Sequence, residues 1–161
     1  MANTTFTGPV RSENGFQTIV KSATTGAVTN SMTMSEYTAT ITVANGGTTG
    51  KEAAVGIPSN FIPMGVTIAV TTAATNAVTL TDIGTDANTD GFVDGISPAI
   101  NSTGFKGFFP CNGVLGMSGG TTTASTATAD EVEVVVSGDP GASGVTMVLK
   151  FIGISSSSDA S

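Results

Sequence analysis

Two neighbouring segments have the clearest strand pattern in the chain: Glu131-Val132-Glu133-Val134-Val135-Val136 and Val145-Thr146-Met147-Val148-Leu149-Lys150-Phe151-Ile152. Apolar and polar side chains alternate along much of each segment, which predicts β-strands with one buried and one solvated face. Between them lies Gly138-Asp139-Pro140-Gly141-Ala142-Ser143-Gly144, whose residues favour turns. The sequence therefore predicts an antiparallel hairpin over residues 130–154.

The register of this hairpin follows from placing Val136 opposite Val145. One face then carries the apolar side chains, and the other carries Glu131 across from Lys150, with Glu133 also facing solvent. An isolated hairpin is at best marginally stable, so further strands must cover its apolar face. The residues predicted to share that face are Val132, Val134, Val136, Met147 and Leu149.

The rest of the chain indicates more strands and no helix. No segment keeps a helical period over the roughly 11 residues that such an assignment needs. Short extended patterns separated by Gly-rich turns predict an all-β protein, an antiparallel β-sandwich of jelly-roll or related topology. The predicted strands upstream of the hairpin cover residues 16–21, 36–43, 52–57, 65–72 and 77–83.

The chain is expected to divide into an arm, one domain and a tail. Residues 1–15 are predicted to form an extended N-terminal arm, although Asn14-Gly15 could instead close a short hairpin. Residues 16–154 form a single β-sandwich domain, and residues 155–161 a flexible tail.

The composition excludes several partners. Charged residues make up 11% of the chain, against about 25% in typical soluble domains. The net charge is −7 and the basic residues form no cluster, so nucleic acid is not expected as a partner. No apolar run approaches the roughly 18 residues of a membrane span, so no membrane partner is expected either.

The surface chemistry and the N-terminus point in different directions. Thr, Ser, Asn and Gly replace charged residues, as is common in extracellular β-proteins and virion proteins. The first residues, Met1-Ala2-Asn3-Thr4-Thr5-Phe6, do not have the pattern of a secretory signal. A protein made in a bacterial cytoplasm and released by lysis, as virion proteins are, satisfies both observations.

Cys111 is the only cysteine, so no disulfide can form within the chain. It is either a core or loop thiol or a thiol that pairs at a subunit contact.

An acidic loop over Asp82–Asp94 is a candidate metal site. Its segment Asp86-Ala87-Asn88-Thr89-Asp90-Gly91-Phe92-Val93-Asp94 resembles the first nine positions of the calcium loop of EF-hands and dockerins. The twelfth position is Ser97, where the motif needs a bidentate carboxylate, and no helix flanks the loop. The alternative is a solvated turn. Apart from weak calcium, no cofactor is expected; the candidate ligands are Asp86, Asn88, Asp90 and Asp94 through side-chain oxygens and Phe92 through its carbonyl.

Catalysis is not expected. Gly116-Met117-Ser118-Gly119-Gly120 matches the pattern of a serine nucleophile, but the chain contains no His to act as its base. The chain also has no Trp and only one Tyr, so it offers few of the aromatic side chains against which sugar-cleaving enzymes commonly bind their substrates.

Two further segments carry a family resemblance. Phe6-Thr7-Gly8-Pro9-Val10-Arg11-Ser12-Glu13-Asn14-Gly15-Phe16 and Leu80-Thr81-Asp82-Ile83-Gly84-Thr85-Asp86 resemble the small head-decoration, or cement, proteins of tailed bacteriophages. The resemblance implies a non-enzymatic virion protein, often a homotrimer, on the outer surface of the head. Such a protein binds the major capsid protein and bridges neighbouring capsid subunits.

In that role Phe6, Val10 and Phe16 would be the apolar contacts of the arm. The alternative function is a head or tail fibre, or an adhesin-type module, that contacts host surface glycans.

Overall fold

The computed structural model describes residues 17–21, 23–25, 28–52, 57, 61–115 and 131–157. Every regular element in these ranges is a β-strand, which confirms the all-β class. The strands are β1 (Gln17–Lys21), β2 (Val28–Val43), β3 (Thr49–Lys51), β4 (Phe61–Thr72), β5 (Leu80–Thr85), β6 (Asn88–Val93), β7 (Gly104–Pro110), β8 (Val132–Val136) and β9 (Val145–Ser157).

The strands form two antiparallel sheets that pack as a β-sandwich, as predicted. One sheet has the order β1-β2-β9-β4-β7 and the other the order β3-β8-β5-β6. The Phe151 ring on the first sheet packs edge-on against the Phe92 ring on the second, with centroids 5.5 Å apart. Apolar side chains from both inner faces form one core, whose largest fully buried members include Phe61, Phe92, Phe151, Ile41, Ile68, Leu80, Ile83, Ile100, Met147 and Leu149.

Strand pairing is nested along the chain. β2 pairs with β9, β3 with β8, β4 with β7 and β5 with β6. Successive pairs alternate between the two sheets. Within the first sheet β4 also pairs with β9, and within the second sheet β5 also pairs with β8, so the pairs in each sheet are joined. The chain from β2 to β9 is therefore one long double strand wrapped into two layers, with the β5–β6 hairpin at its tip.

The predicted hairpin over residues 130–154 is wrong. Both segments are strands, but β8 lies between β3 and β5 in one sheet and β9 lies between β2 and β4 in the other. Lys150 therefore lies across from Thr38 and Thr67 rather than Glu131. Period-two alternation shows which face of a strand is buried and does not show which strand lies beside it. The same side chains, including Val134 and Met147, are buried because the two inner faces meet across the core.

The predicted strand over residues 36–43 is confirmed and extends further, as β2. Ala39, Ile41 and Val43 are buried and the intervening Thr residues are exposed. The predicted strand over residues 65–72 is the second part of β4. Most of the strand predicted over residues 16–21 is β1.

Three boundaries differ from the prediction. The strand predicted over residues 77–83 is β5 and runs over Leu80–Thr85, because the acidic segment continues the sheet instead of leaving it. Residues 155–157 belong to β9, paired with β2, and not to a flexible tail. Of the strand predicted over residues 52–57, only Glu52 and Ile57 are described, and Glu52 forms an isolated bridge with Ile41. The predicted arm lies outside the described residues.

Cys111 is a core thiol. Its side chain is fully buried, and burial raises the pKa of the thiol to about 12. The thiol therefore stays protonated at neutral pH, which disfavours its reaction as a thiolate.

Candidate functional site

The most distinctive surface is the outer face of the five-stranded sheet near its edge strand β7. Phe105 and Phe108 are 69% and 54% exposed there. Residues three apart on a regular strand point to opposite faces. Here Phe108 lies across from Thr67 and Phe105 across from Ala69, with the register shifted between Ile68 and Ala69. This β-bulge inserts one extra residue in β7 and turns both rings to the outer face.

Two glycines make this arrangement possible. Gly107, within the bulge, has φ of 132°, a conformation that residues with a Cβ rarely adopt. Gly65 on β4 has no side chain, and the Phe108 ring occupies the space that its Cβ would need.

Apolar side chains continue from these rings across the sheet. Ile152 on β9 pairs with Gly65 and is 39% exposed, and Met34 on β2 is 61% exposed. Met34, Ile154 and Ile62 lie side by side in the strand register. We call this surface the apolar stripe; its residues are Met34, Ile62, Ile154, Ile152, Phe108, Phe105, Val148 and Ala69.

The surroundings of the apolar stripe are polar and carry few charges, of which Lys106 lies on β7 itself. Lys150 and Glu36 form an exposed ion pair, with Nζ 3.4 Å from Oε1. Thr42 and Thr146 hydrogen-bond through their hydroxyl oxygens at 3.0 Å. Glu36 is the only acidic residue in the described strands of this sheet.

The four-stranded sheet carries the opposite character. Lys51 is the only basic residue in its described strands. Acidic residues dominate its strands, its hairpin turn and the position after β6, so this side of the molecule is strongly negative. They are Asp82, Asp86, Asp90, Asp94 and Glu133.

The candidate calcium ligands lie on the β5–β6 hairpin and not in a wrapped loop. Asp86 is in its two-residue turn, and Asn88 begins β6. Phe92 is buried in the core, and its carbonyl oxygen accepts a hydrogen bond from the Gly113 N–H at 3.0 Å. Asp90 and Asp94 have exposed side chains. Within the described ranges, no group of three or more Asp, Glu, His or Cys side chains is placed so that it could bind a metal ion. Weak calcium binding by this set stays a prediction.

Glu133 is buried, contrary to its predicted position on a solvated face. Its side chain is 7% exposed. Lys51 lies across from it on one side, and on the other lies Gly84, whose outer side is covered by the backbone of β6. The Lys51 ammonium forms a short ion pair with Asp86 and lies 3.9 Å from the Glu133 carboxylate. Burial, followed by the negative charge of Asp86, raises the pKa of Glu133, against the opposing effect of Lys51.

The predicted partner contacts Phe6, Val10 and Phe16 lie outside the described residues. Sequence reasoning missed the apolar stripe, because the odd spacing of Phe105 and Phe108 conceals their common face. The available signal was the sequence Gly104-Phe105-Lys106-Gly107-Phe108, in which glycines accompany two aromatic residues. Glycines within a strand often mark a bulge.

Comparisons of this chain with models of protein families, with curated proteins and with solved structures return no match. The described part of the chain contains no helix long and apolar enough to span a membrane. The surface of the β-sandwich is therefore the feature from which a function can be inferred.

Proposed function

We propose that this chain is a non-enzymatic virion structural protein, a head-decoration or cement protein that binds the outside of a phage capsid. It bridges neighbouring capsid subunits and associates with itself, as a homotrimer. The observation that carries the proposal is the apolar stripe on a face with few charges, opposite a strongly acidic face. This two-sided surface suits a protein that attaches by one side and presents the other to solvent.

The apolar stripe is large enough to contribute substantially to binding. Soluble monomers seldom expose contiguous apolar patches beyond a few hundred Å², and larger ones mark interaction sites. From their exposures of 69% and 54%, complete burial of Phe105 and Phe108 would contribute about 2–4 kcal/mol. A partner surface should be apolar and uncharged, because the face offers few charges to pair.

The sheet face is a better contact than the sheet edge. Strand β7 could in principle pair with a strand of another protein, but its bulge, Lys106 and Pro110 are features that discourage such pairing. The phenylalanine rings point out of the sheet plane instead, so the partner should pack on the face.

The strand arrangement is compatible with this role. We infer from the nested pairing of β2 to β9 that the sandwich has the topology of a jelly roll, an architecture found in viral capsid and lectin domains. This support is an analogy of fold, since one fold serves many functions.

The N-terminal segment extends the proposed contact. Gln17 lies across from Thr33, next to Met34, so the chain enters the sheet beside one end of the apolar stripe. Phe6, Val10 and Phe16, which precede this point in sequence, would add apolar contacts with the capsid.

Co-sedimentation with phage heads that lack this protein tests the proposal. The double variant Phe105→Ser/Phe108→Ser should bind at least about ten-fold more weakly. Val114→Ser is the matched control, because Val114 is 55% exposed near β6, away from the apolar stripe. Equal binding by wild type and the double variant would exclude the stripe as the contact.

Two further results would reject the assignment. Absence of the protein from purified virions would reject a virion role. Binding to host glycans without binding to heads would favour the fibre or adhesin alternative.

Deletion of residues 2–15 should release the protein from heads or reduce the resistance of the heads to heat. Full occupancy of the heads, with their stability unchanged, would exclude the arm as a contact.

A further inference from the structure

Glu133 is an unusual side chain for the outer face of a sheet. Its side chain is only 7% exposed, and its Oε2 atom has no hydrogen-bond partner within the described ranges. The ammonium of Lys51 is 3.9 Å away, beyond hydrogen-bonding distance. Burying a carboxylate without a close partner costs free energy, so such an oxygen is a candidate ligand.

Other oxygen atoms lie on the same side of the sheet. Gly84 is the cross-strand neighbour of Glu133, and the space above it holds the backbone of β6. The Asn88 carbonyl oxygen is the atom nearest to the position of a Cβ on Gly84. The Asp86 carboxylate, in the adjoining turn, forms an ion pair with the same Lys51 ammonium that lies 3.9 Å from Glu133. Glu133 and Asp86 thus flank the Lys51 ammonium, and the Asn88 carbonyl oxygen lies over the residue that pairs with Glu133.

We propose that these three groups bind a divalent cation of the calcium class, which prefers oxygen ligands. Glu133, from β8, supplies the carboxylate that the acidic segment lacks at Ser97. The ion would connect β8 to the tip of the β5–β6 hairpin. Asp90 and Asp94 are not ligands in this arrangement.

Lys51 determines the affinity of this site. Its ammonium already neutralises Asp86, so a cation must displace it. The displacement is favourable because a doubly charged ion interacts more strongly with two carboxylates than a single ammonium does. With two carboxylates, one carbonyl and waters as ligands, the dissociation constant should be about 10⁻⁴–10⁻³ M.

Thermal unfolding of the full chain with and without about 5 mM CaCl₂ tests the proposal. Calcium should raise the Tm by about 2–6 °C, since a ligand that binds only the folded state stabilises it. Lys51→Gln should increase this rise, and Glu133→Gln should abolish it. Asp90→Asn is the matched control and should respond as the wild type does.

Calorimetric titration of the folded variants with CaCl₂ gives a second readout that is independent of their stability. Asp86→Asn replaces Glu133→Gln if the latter does not fold. Absence of calcium binding in both wild type and Lys51→Gln would overturn the proposal. Binding that survives Glu133→Gln, or that is lost in Asp90→Asn, would overturn it in favour of another site.

Discussion

Asp139 illustrates how one exposed carboxylate can hold two connections together. Its Oδ1 accepts hydrogen bonds from the backbone N–H groups of Gly141 and Gly46, each at 2.8 Å. The first bond closes the connection between β8 and β9, and the second joins it to the turn after β2. These two bonds, with Gly141 the larger contribution, lower the pKa of Asp139 below its ordinary value.

The lowered pKa of Asp139 implies a defined pH dependence. Stability from this carboxylate is fully present above its unfolded pKa and is lost as the pH falls through its folded pKa. Asp139→Asn should therefore be less stable than wild type at about pH 7, and the difference should shrink at about pH 2.5. Urea unfolding at both pH values measures this, with Asp90→Asn as control. A difference that is independent of pH would contradict the prediction.

Leu149 represents the residues of the core. It is fully buried on the inner face of β9, beside Ala39 on β2 and Ile68 on β4. Leu149→Ala should reduce the free energy of unfolding by about 2–5 kcal/mol, since it removes buried methyl groups and leaves a cavity. Val148→Ala, on the partly exposed outer face, should cost clearly less in chemical denaturation. Equal losses would contradict the assignment of faces.

At the scale of elements, β8 and β9 show why strand pairing has to be observed. In both segments apolar and polar side chains alternate, and a turn-forming segment separates them, so the local sequence predicts a hairpin. The connection instead crosses from one sheet to the other. Sheets in a sandwich are about 10 Å apart, beyond the reach of a pairing hydrogen bond.

Engineered disulfides distinguish the two arrangements of β9. Thr42 and Thr146 are cross-strand neighbours whose hydroxyl oxygens are 3.0 Å apart, so Thr42→Cys/Thr146→Cys should cross-link under mild oxidation. Glu131→Cys/Lys150→Cys, the pair expected from a hairpin, should not. Mass spectrometry under non-reducing conditions detects the bond. Efficient cross-linking of the second pair alone would contradict the observed sheet order.

Strand β7 shows a second effect at this scale. Its bulge puts Phe105 and Phe108 on one face, although their spacing would separate them on a regular strand. A regular pattern of alternation would have assigned one ring to the core. The surface on which the proposed function depends is therefore created by an irregularity in pairing.

At the scale of the whole molecule, the two sheets differ in chemistry. The acidic side chains lie mainly on the four-stranded sheet, and the apolar stripe lies on the outer face of the five-stranded sheet. The net charge of −7 therefore does not oppose contact through the apolar stripe as strongly as an even distribution would.

This separation predicts that attachment to heads resists salt. Because the contact is apolar, co-sedimentation should change little between about 0.1 M and 1 M NaCl, where the Debye length falls from about 10 Å to 3 Å. The wild-type protein and the Val114→Ser control should share this insensitivity. Release at 1 M NaCl with rebinding at low salt would indicate an ionic contact instead, most simply through the acidic sheet.

Local sequence patterns predict the fold class and most of the strands correctly. Alternation in residues 36–43, 65–72, 131–136 and 145–152 identifies which apolar side chains face the core, because a strand exposes alternate residues to opposite faces. The shortage of charge and the lack of His likewise follow from composition alone.

Which strands are neighbours, and which side chains lie on the two outer faces, depends on how the strands assemble into sheets. Pairing depends on contacts between distant segments, such as β2 with β9, that no local pattern encodes. The burial of Glu133 and the common face of Phe105 and Phe108 both result from such pairing: β8 has neighbours on both sides, and the register of β7 shifts against β4. Local alternation describes a strand alone, whereas these properties belong to a strand within its sheet.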